Sequence, residues 1–242
     1  MRWLDDDPDL ARSALIGLGV GVAGNVYFLL GLGTGAAFSA PALIFPAVAA
    51  LGLGAIIWIG VRAVMPAGAT PRLLFLGACG LLIAVLVGMS LVPPVARDEL
   101  THHLALPALY VDARRIIEVP FADQGYYPML LEMFYTPLLA WLPDQTPKLL
   151  HLLFALASAA VVGLAARDAA RPAAGAIGFA LVLFTPVVAL LAPTAYVDLG
   201  LLFYTALAIA ALLRWHATGS WAWLIVSALA AGFSGTSKYN GL

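Results

Sequence analysis

Long apolar runs separated by short polar breaks cover most of the chain. A helix needs about 20 apolar residues to cross the hydrocarbon core of a bilayer. The runs predict spans over Ser13 to Leu32, Pro41 to Val64, Leu73 to Val92, Leu149 to Ala166, Ala173 to Ala192, Leu199 to Leu213 and Trp221 to Phe233. The last two are short for a full crossing: either they extend past these bounds, or they dip in with polar ends that a cavity relieves. One stretch, Val95 to Pro147, breaks the pattern. Within it Leu100, Leu104 and Val111 recur among polar residues at near-helical spacing, and Pro107 marks a kink or a second turn. Further on, "YYPMLLEMFYTPLLAWLP" is aromatic and apolar but interrupted by Pro128 and Pro137. Both segments predict short helices lying in the membrane interface, where Tyr and Trp prefer to sit. The expectation is an all-α polytopic transmembrane bundle in three parts: residues 1–94 with a tail and three spans, the loop 95–147, and further spans in 148–242.

Composition turns that expectation into a class. Of 242 residues, 63% are hydrophobic and 10% charged, with mean hydropathy +0.98. A soluble domain is nearer half apolar and a quarter charged, so this chain lacks the polar surface a water-facing globule needs. Its partner is a lipid bilayer. A net charge of -1 offers no basic field for phosphate backbones, which argues against nucleic acid. The single cysteine, Cys79, lies inside an apolar run and excludes both a disulfide framework and a cysteine metal cluster. The start "MRWLDDDPDLARS" is acidic and does not read as a removable signal peptide. The end, "SGTSKYNGL", reads as the middle of a further element, so the chain is expected to be the N-terminal part of a longer protein.

Positive residues then set an orientation. With a cytoplasmic N-terminus, the inner side collects Arg2, Arg12, Arg62, Arg72, Arg167, Arg171 and Arg214, whereas "GLGTGAAFSAP" and "APTAYVD" carry none. The long loop holds Arg97, Arg114 and Arg115, with Lys148 just beyond it, but long loops count weakly. The loop is therefore expected on the extracytoplasmic side.

Ionisable side chains near a membrane are functional candidates by default. On a regular helix Asp98 would stack with His102 and Glu99 with His103, four residues apart. A carboxylate beside an imidazole can orient a general base or share a metal; equally, Asp98 and Glu99 suit a solvated helix start. Asp198 stands at the junction of two apolar runs, either as a working acid or as an interfacial one reaching water. Lys238, among Gly, Ser, Thr and Asn, suits a phosphate or a snorkelling helix end. All fall on one side of the predicted topology, as a phosphate-activated lipid substrate would require.

Four blocks in order carry a resemblance: "DELTHHLALPALYVDARRI", "YYPMLLEMFY", "TPVVALLAPTAYVDLGLLFYTALA" and "GTSKYNGL". Together they resemble the bacterial GT-C-fold glycosyltransferases related to protein O-mannosyltransferases and to the aminoarabinose transferase of lipid A, over roughly Arg97 to Leu242. The Asp-Glu pair at the head of the large loop is the most specific element. The resemblance implies that Asp98 is the catalytic base with Glu99 beside it, and that His102, His103, Tyr127, Glu132, Asp198 and Lys238 bind substrate. In the family's pattern Asp198 lies near the donor phosphate or a metal, and Lys238 holds the lipid phosphate. A divalent metal shared by Asp98 and Asp198 is left open, because two acids do not define one. His102 replaces a frequent tyrosine, Ser237 separates Thr236 from Lys238, and three predicted spans precede the loop where better-known members have one.

The expected activity is transfer of a sugar from a polyprenyl-phosphate donor to a hydroxyl of a glycan, lipid or protein acceptor. It would proceed with inversion, on the extracytoplasmic face of a bacterial inner membrane. A transporter or flippase, or a non-catalytic scaffold, remains the alternative; no internal repeat supports the former.

Overall fold

The computed structural model describes residues 7–33, 35–169 and 172–241. Arg2 and Arg171, counted above for orientation, lie outside them. Among the described residues ten α-helices run in order: α1 (Pro8–Gly33), α2 (Ile44–Val64), α3 (Ala69–Ser90), α4 (Ala105–Ala113), α5 (Glu132–Trp141), α6 (Thr146–Ala169), α7 (Pro172–Leu183), α8 (Pro186–Leu191), α9 (Asp198–Thr218) and α10 (Trp221–Ser237). No strand occurs among the described residues. Among the described residues, five helices are long and apolar enough to cross a membrane: Pro8–Gly33, Ala40–Val64, Ala69–Ser90, Thr146–Arg167 and Asp198–Thr218. The architecture is compatible with an integral membrane protein.

One expectation is resolved and two need correction. The run Leu199 to Leu213 extends past its predicted bounds, the first of the two alternatives: α9 spans 21 residues, taking in Asp198 and the polar turn through Arg214 and His216. It stops where Gly219 takes the left-handed conformation (φ 68°) that a side chain would resist. The run Ala173 to Ala192 is broken. Pro186 has no N–H to continue α7 and forces Thr185 to an extended ψ of 121°, so α8 restarts on a new axis. Finally, α5 does not lie in the interface, since every residue from Leu130 to Leu138 is buried by protein. The same Tyr, Phe and Met that suit a membrane interface here fill the space between α1, α2, α4 and α6.

Helix α6 is the central post, with Phe154, Ala155, Ala157, Ala160 and Val161 fully enclosed. Small residues let its neighbours close in. A Cβ on Gly60 of α2 would stand 2.5 Å from the Cβ of Ala160, so the two backbones touch as small residues in membrane helices allow. By contrast α3 is peripheral, with Leu73, Leu74, Leu81, Val85 and Met89 exposed.

Specific contacts define the two ends of the bundle. At one, Arg167 of α6 meets Asp7 and Asp9 at the start of α1 (3.2 and 3.1 Å). At the other, the Lys148 ammonium donates to the carbonyls of Met89 and Val92 (3.3 and 2.8 Å), capping α3 with the start of α6. Ile116 N–H binds the Gly31 carbonyl and Leu130 N–H that of Thr236, fastening the segment between α3 and α6 to the same end. Every ionisable residue singled out as a candidate belongs to this second end.

Candidate functional site

The site begins with a π-turn over Glu99–His103, closed by Leu104 N–H to the Glu99 carbonyl (2.9 Å). A π-turn carries more residues per turn than an α-helix, so the four-residue stacking expected for Asp98 with His102 and Glu99 with His103 is replaced. Leu100 is turned out to 57% exposure while Leu104 is buried.

Glu99 instead folds back into the protein. One carboxylate oxygen accepts from the amides of Val95 and Ala96 (3.1 and 2.8 Å), the other from the amide of Ala195 (2.6 Å). Three backbone donors hold a side chain that is 1% exposed. That clamp joins the head of the loop to the segment before α9. It leaves Glu99 no free face for a substrate, and its neighbour Asp98, half-buried, is the acid that remains open.

His103 finds its partner 29 residues away. Its Nδ1 lies 2.7 Å from Oε1 of Glu132, and both side chains are buried. The His103 ring also stacks near His102 (4.0 Å between centroids) and Tyr196 (5.5 Å). His102 is held below its ordinary imidazole value by burial and by His103, with Asp98 opposing. It is a neutral ring at neutral pH, and its Nδ1 is 3.0 Å from the Thr101 hydroxyl.

Asp198 opens α9, and Lys238 follows the last turn of α10 in extended conformation. The antiparallel packing of these helices brings the two together, with the Lys238 ammonium donating to Asp198 at 2.7 Å. Both are part-exposed, at 37% and 28% of the side chain. The charges of Asp98 and Lys238 both reach His102, and those of Asp98 and Asp198 both reach Tyr196. Thus Asp98, His102, His103, Glu132, Asp198 and Lys238 belong to one neighbourhood.

Tyr127 stands apart from the acids. Its ring meets that of Tyr239 edge to face (5.0 Å), next to Lys238, and it lines a cavity of about 480 Å³. Phe28, Leu32, Ile117, Met129 and Leu130 make that cavity largely apolar, and Thr236 connects it to the end of α10.

Two residues of the site escaped sequence reasoning. Tyr196 bridges the parts: its carbonyl accepts from the Tyr135 hydroxyl (2.6 Å), and its phenol bonds to the Asp98 backbone. Burial, then Asp98, raises its titration, so it stays a donor. In the sequence it is one more tyrosine at a predicted membrane edge, with nothing to separate it from the aromatic belt. His151, fully buried in α6, accepts the Leu199 N–H (3.1 Å) and so fixes the first turn of α9 below Asp198. It carried a signal: an imidazole inside an apolar run is a candidate on membrane energetics alone.

For a metal the donor set does not close. Among the described residues no group of three His, Cys, Asp or Glu is arranged to hold an ion, and Asp198 already faces an ammonium. No family model, curated protein or solved structure matches this chain.

Proposed function

We propose that this protein is a membrane glycosyltransferase that moves a sugar from a polyprenyl-phosphate donor to an acceptor hydroxyl. The observation that carries the reading is the company of opposite chemistries at one end of the bundle. An open carboxylate, Asp98, shares its surroundings with an ammonium, Lys238, and a largely apolar cavity of about 480 Å³ reaches Gly235 and Thr236, just before Lys238 in the chain. Apolar volume suits an isoprenoid chain, the ammonium suits its phosphate, and the carboxylate suits the attacking hydroxyl.

In this mechanism the acceptor oxygen forms a bond to the anomeric carbon while its proton passes to the Asp98 carboxylate. The bond from the anomeric carbon to the phosphate oxygen breaks, and its electron pair stays with the lipid phosphate, whose charge Lys238 meets. Single displacement inverts the anomeric centre. Glu99 positions Asp98 through its three amide bonds, and no step runs through a metal. The arginines at the opposite end of the bundle, Arg12, Arg62, Arg72, Arg167 and Arg214, support a site on the extracytoplasmic face of a bacterial inner membrane.

The deciding experiment is Asp98→Asn. Asparagine keeps the size but cannot accept the proton, so initial rates with a polyprenyl-phosphate sugar, normalised to folded protein, should fall by about 10²- to 10⁴-fold. Near-normal turnover would reduce Asp98 to a helix-start residue. The broken α7–α8 helix favours a second reading, since interrupted helices mark many transporters. A protein that moves the lipid-linked sugar across vesicle membranes without transferring it would establish that reading instead.

A further inference from the structure

The buried pair of His103 and Glu132 is left over by this mechanism. Glu132 is 3% exposed, and its Oε1 faces His103 Nδ1 at 2.7 Å. Its second oxygen, Oε2, is buried without any partner. His103 Nε2 likewise has no protein partner among the described residues, yet it is not sealed off as Oε2 is.

Proton arithmetic decides what Nε2 can offer. A neutral imidazole donating from Nδ1 to an ionised Glu132 would leave a net negative charge inside the protein, with one oxygen unsolvated. Such an uncompensated buried charge is strongly unfavourable. Three arrangements avoid it. In one, an imidazolium faces a carboxylate; in the second, Glu132 protonated on Oε1 donates to Nδ1 of a neutral ring; in the third, a neutral ring donates from Nδ1 to Glu132 protonated on Oε2. The third buries an O–H donor with no acceptor, because Oε2 has no partner, and an orphaned donor is costlier than an under-satisfied carbonyl oxygen. The first two place a hydrogen on Nε2. The surroundings agree in sign: Asp98, Glu99 and Asp198 are acids, set against the ammonium of Lys238, which reaches His102, and that of Lys148, which reaches Glu99.

We propose that His103 and Glu132 form one charge-neutral unit that presents the N–H at His103 Nε2 to the phosphate of the bound ligand. This rests on the glycosyltransferase reading for the identity of the ligand, and adds a second phosphate donor beside Lys238. Glu132 is a positioning residue, while His103 touches the anion. The chemistry asked for is a phosphate anion, as a lipid headgroup or free.

The test uses the full chain in detergent or nanodiscs, with decaprenyl monophosphate, decaprenol of the same length and inorganic phosphate as probes. His103→Phe with Glu132→Met replaces both partners by apolar side chains of similar volume, a change that tends to be neutral for folding where a single replacement would not. Loss of a hydrogen bond to a charged group should weaken decaprenyl monophosphate by about 10- to 100-fold and leave decaprenol unchanged. Inorganic phosphate should compete if the headgroup alone is recognised, and fail to compete if the lipid is needed to seat it; either supports the N–H donor. Unchanged affinity for the monophosphate in the folded double variant overturns the proposal. Nitrogen-15 NMR of histidine-labelled wild type provides an independent readout, with His103 assigned from the spectrum of the variant. A hydrogen on Nε2 is expected, and a bare Nε2 with hydrogen on Nδ1 alone overturns the proposal whatever the variant does. Phosphate binding that depends on His103 without any sugar transfer would remove the glycosyltransferase reading and leave this pair standing.

Discussion

Replacing Glu99 by glutamine turns one carboxylate oxygen into an amide nitrogen and should unfasten the loop head. The native side chain accepts three amides: Val95, Ala96 and Ala195. Glutamine has one acceptor oxygen. Kept on Ala195, its amide nitrogen then points at the N–H groups of Val95 and Ala96, donor against donor. Hydrogen bonds to a charged group contribute about 1.5–3 kcal/mol each, so losing two amounts to about 3–6 kcal/mol. Alanine at this position loses all three and should be worse. The measurement is unfolding in detergent, followed with hydrogen exchange at the amides of Ala96 and Ala195, which should open well before those of α6. Activity per folded molecule should fall less than in Asp98→Asn, because Glu99 acts through backbone position and not on the reacting atoms. Stability and exchange equal to wild type in Glu99→Gln would refute the clamp.

Two further outcomes follow from packing and titration. Gly60→Val should lower the folded yield, since its Cβ would stand 2.5 Å from the Ala160 Cβ, and overpacking of this kind costs about 1–3 kcal/mol; Gly54→Ala, with nothing within 4 Å, should be tolerated, and equal yields would dismiss the close α2–α6 approach. His102 titrates below its ordinary value of 6.5 because burial disfavours its charged form, so the unfolded chain binds that proton more readily than the folded one. The stability it contributes is complete above that value and is lost as pH falls below it; unfolding midpoints at neutral and mildly acid pH should therefore differ less in His102→Gln than in wild type, and identical acid sensitivity would contradict this.

What the sequence discloses and what it hides divide along the range of the interaction. A span is a local property: Pro41 to Val64 and Leu73 to Val92 are legible because each residue's hydropathy counts whatever its partners are. The ends of α9 are less so, because Asp198, Arg214 and His216 extend a helix into polar surroundings without altering its backbone. The burial of α5 is not local at all. Tyr135 and Phe134 have the same composition whether they face lipid headgroups or the side chains of α1 and α6, and only the fold decides. The π-turn over Glu99–His103 escapes for a related reason: one extra residue in a turn rotates every side chain after it, and no residue type announces it.

The site's partners lie at still longer range. Residue type and membrane position are enough to nominate Glu99, His103, Asp198 and Lys238, and the family resemblance adds Glu132. They give no means of pairing them, because Glu99 reaches across 96 positions to Ala195 and Lys238 across 40 to Asp198. Pairing also redistributes their roles. Glu99, Lys148 and His151 bind backbone groups and hold the ends of α3, α6 and α9 in register. Once those polar groups are engaged, the candidates left open at this end among the described residues include Asp98, the Asp198–Lys238 pair and the outer nitrogen of His103. A scaffold would have reason to pair or cover these as well. Their openness, beside an apolar cavity and behind a frame of immobilised backbone, is the physical ground for reading this end of the bundle as the place where a ligand binds.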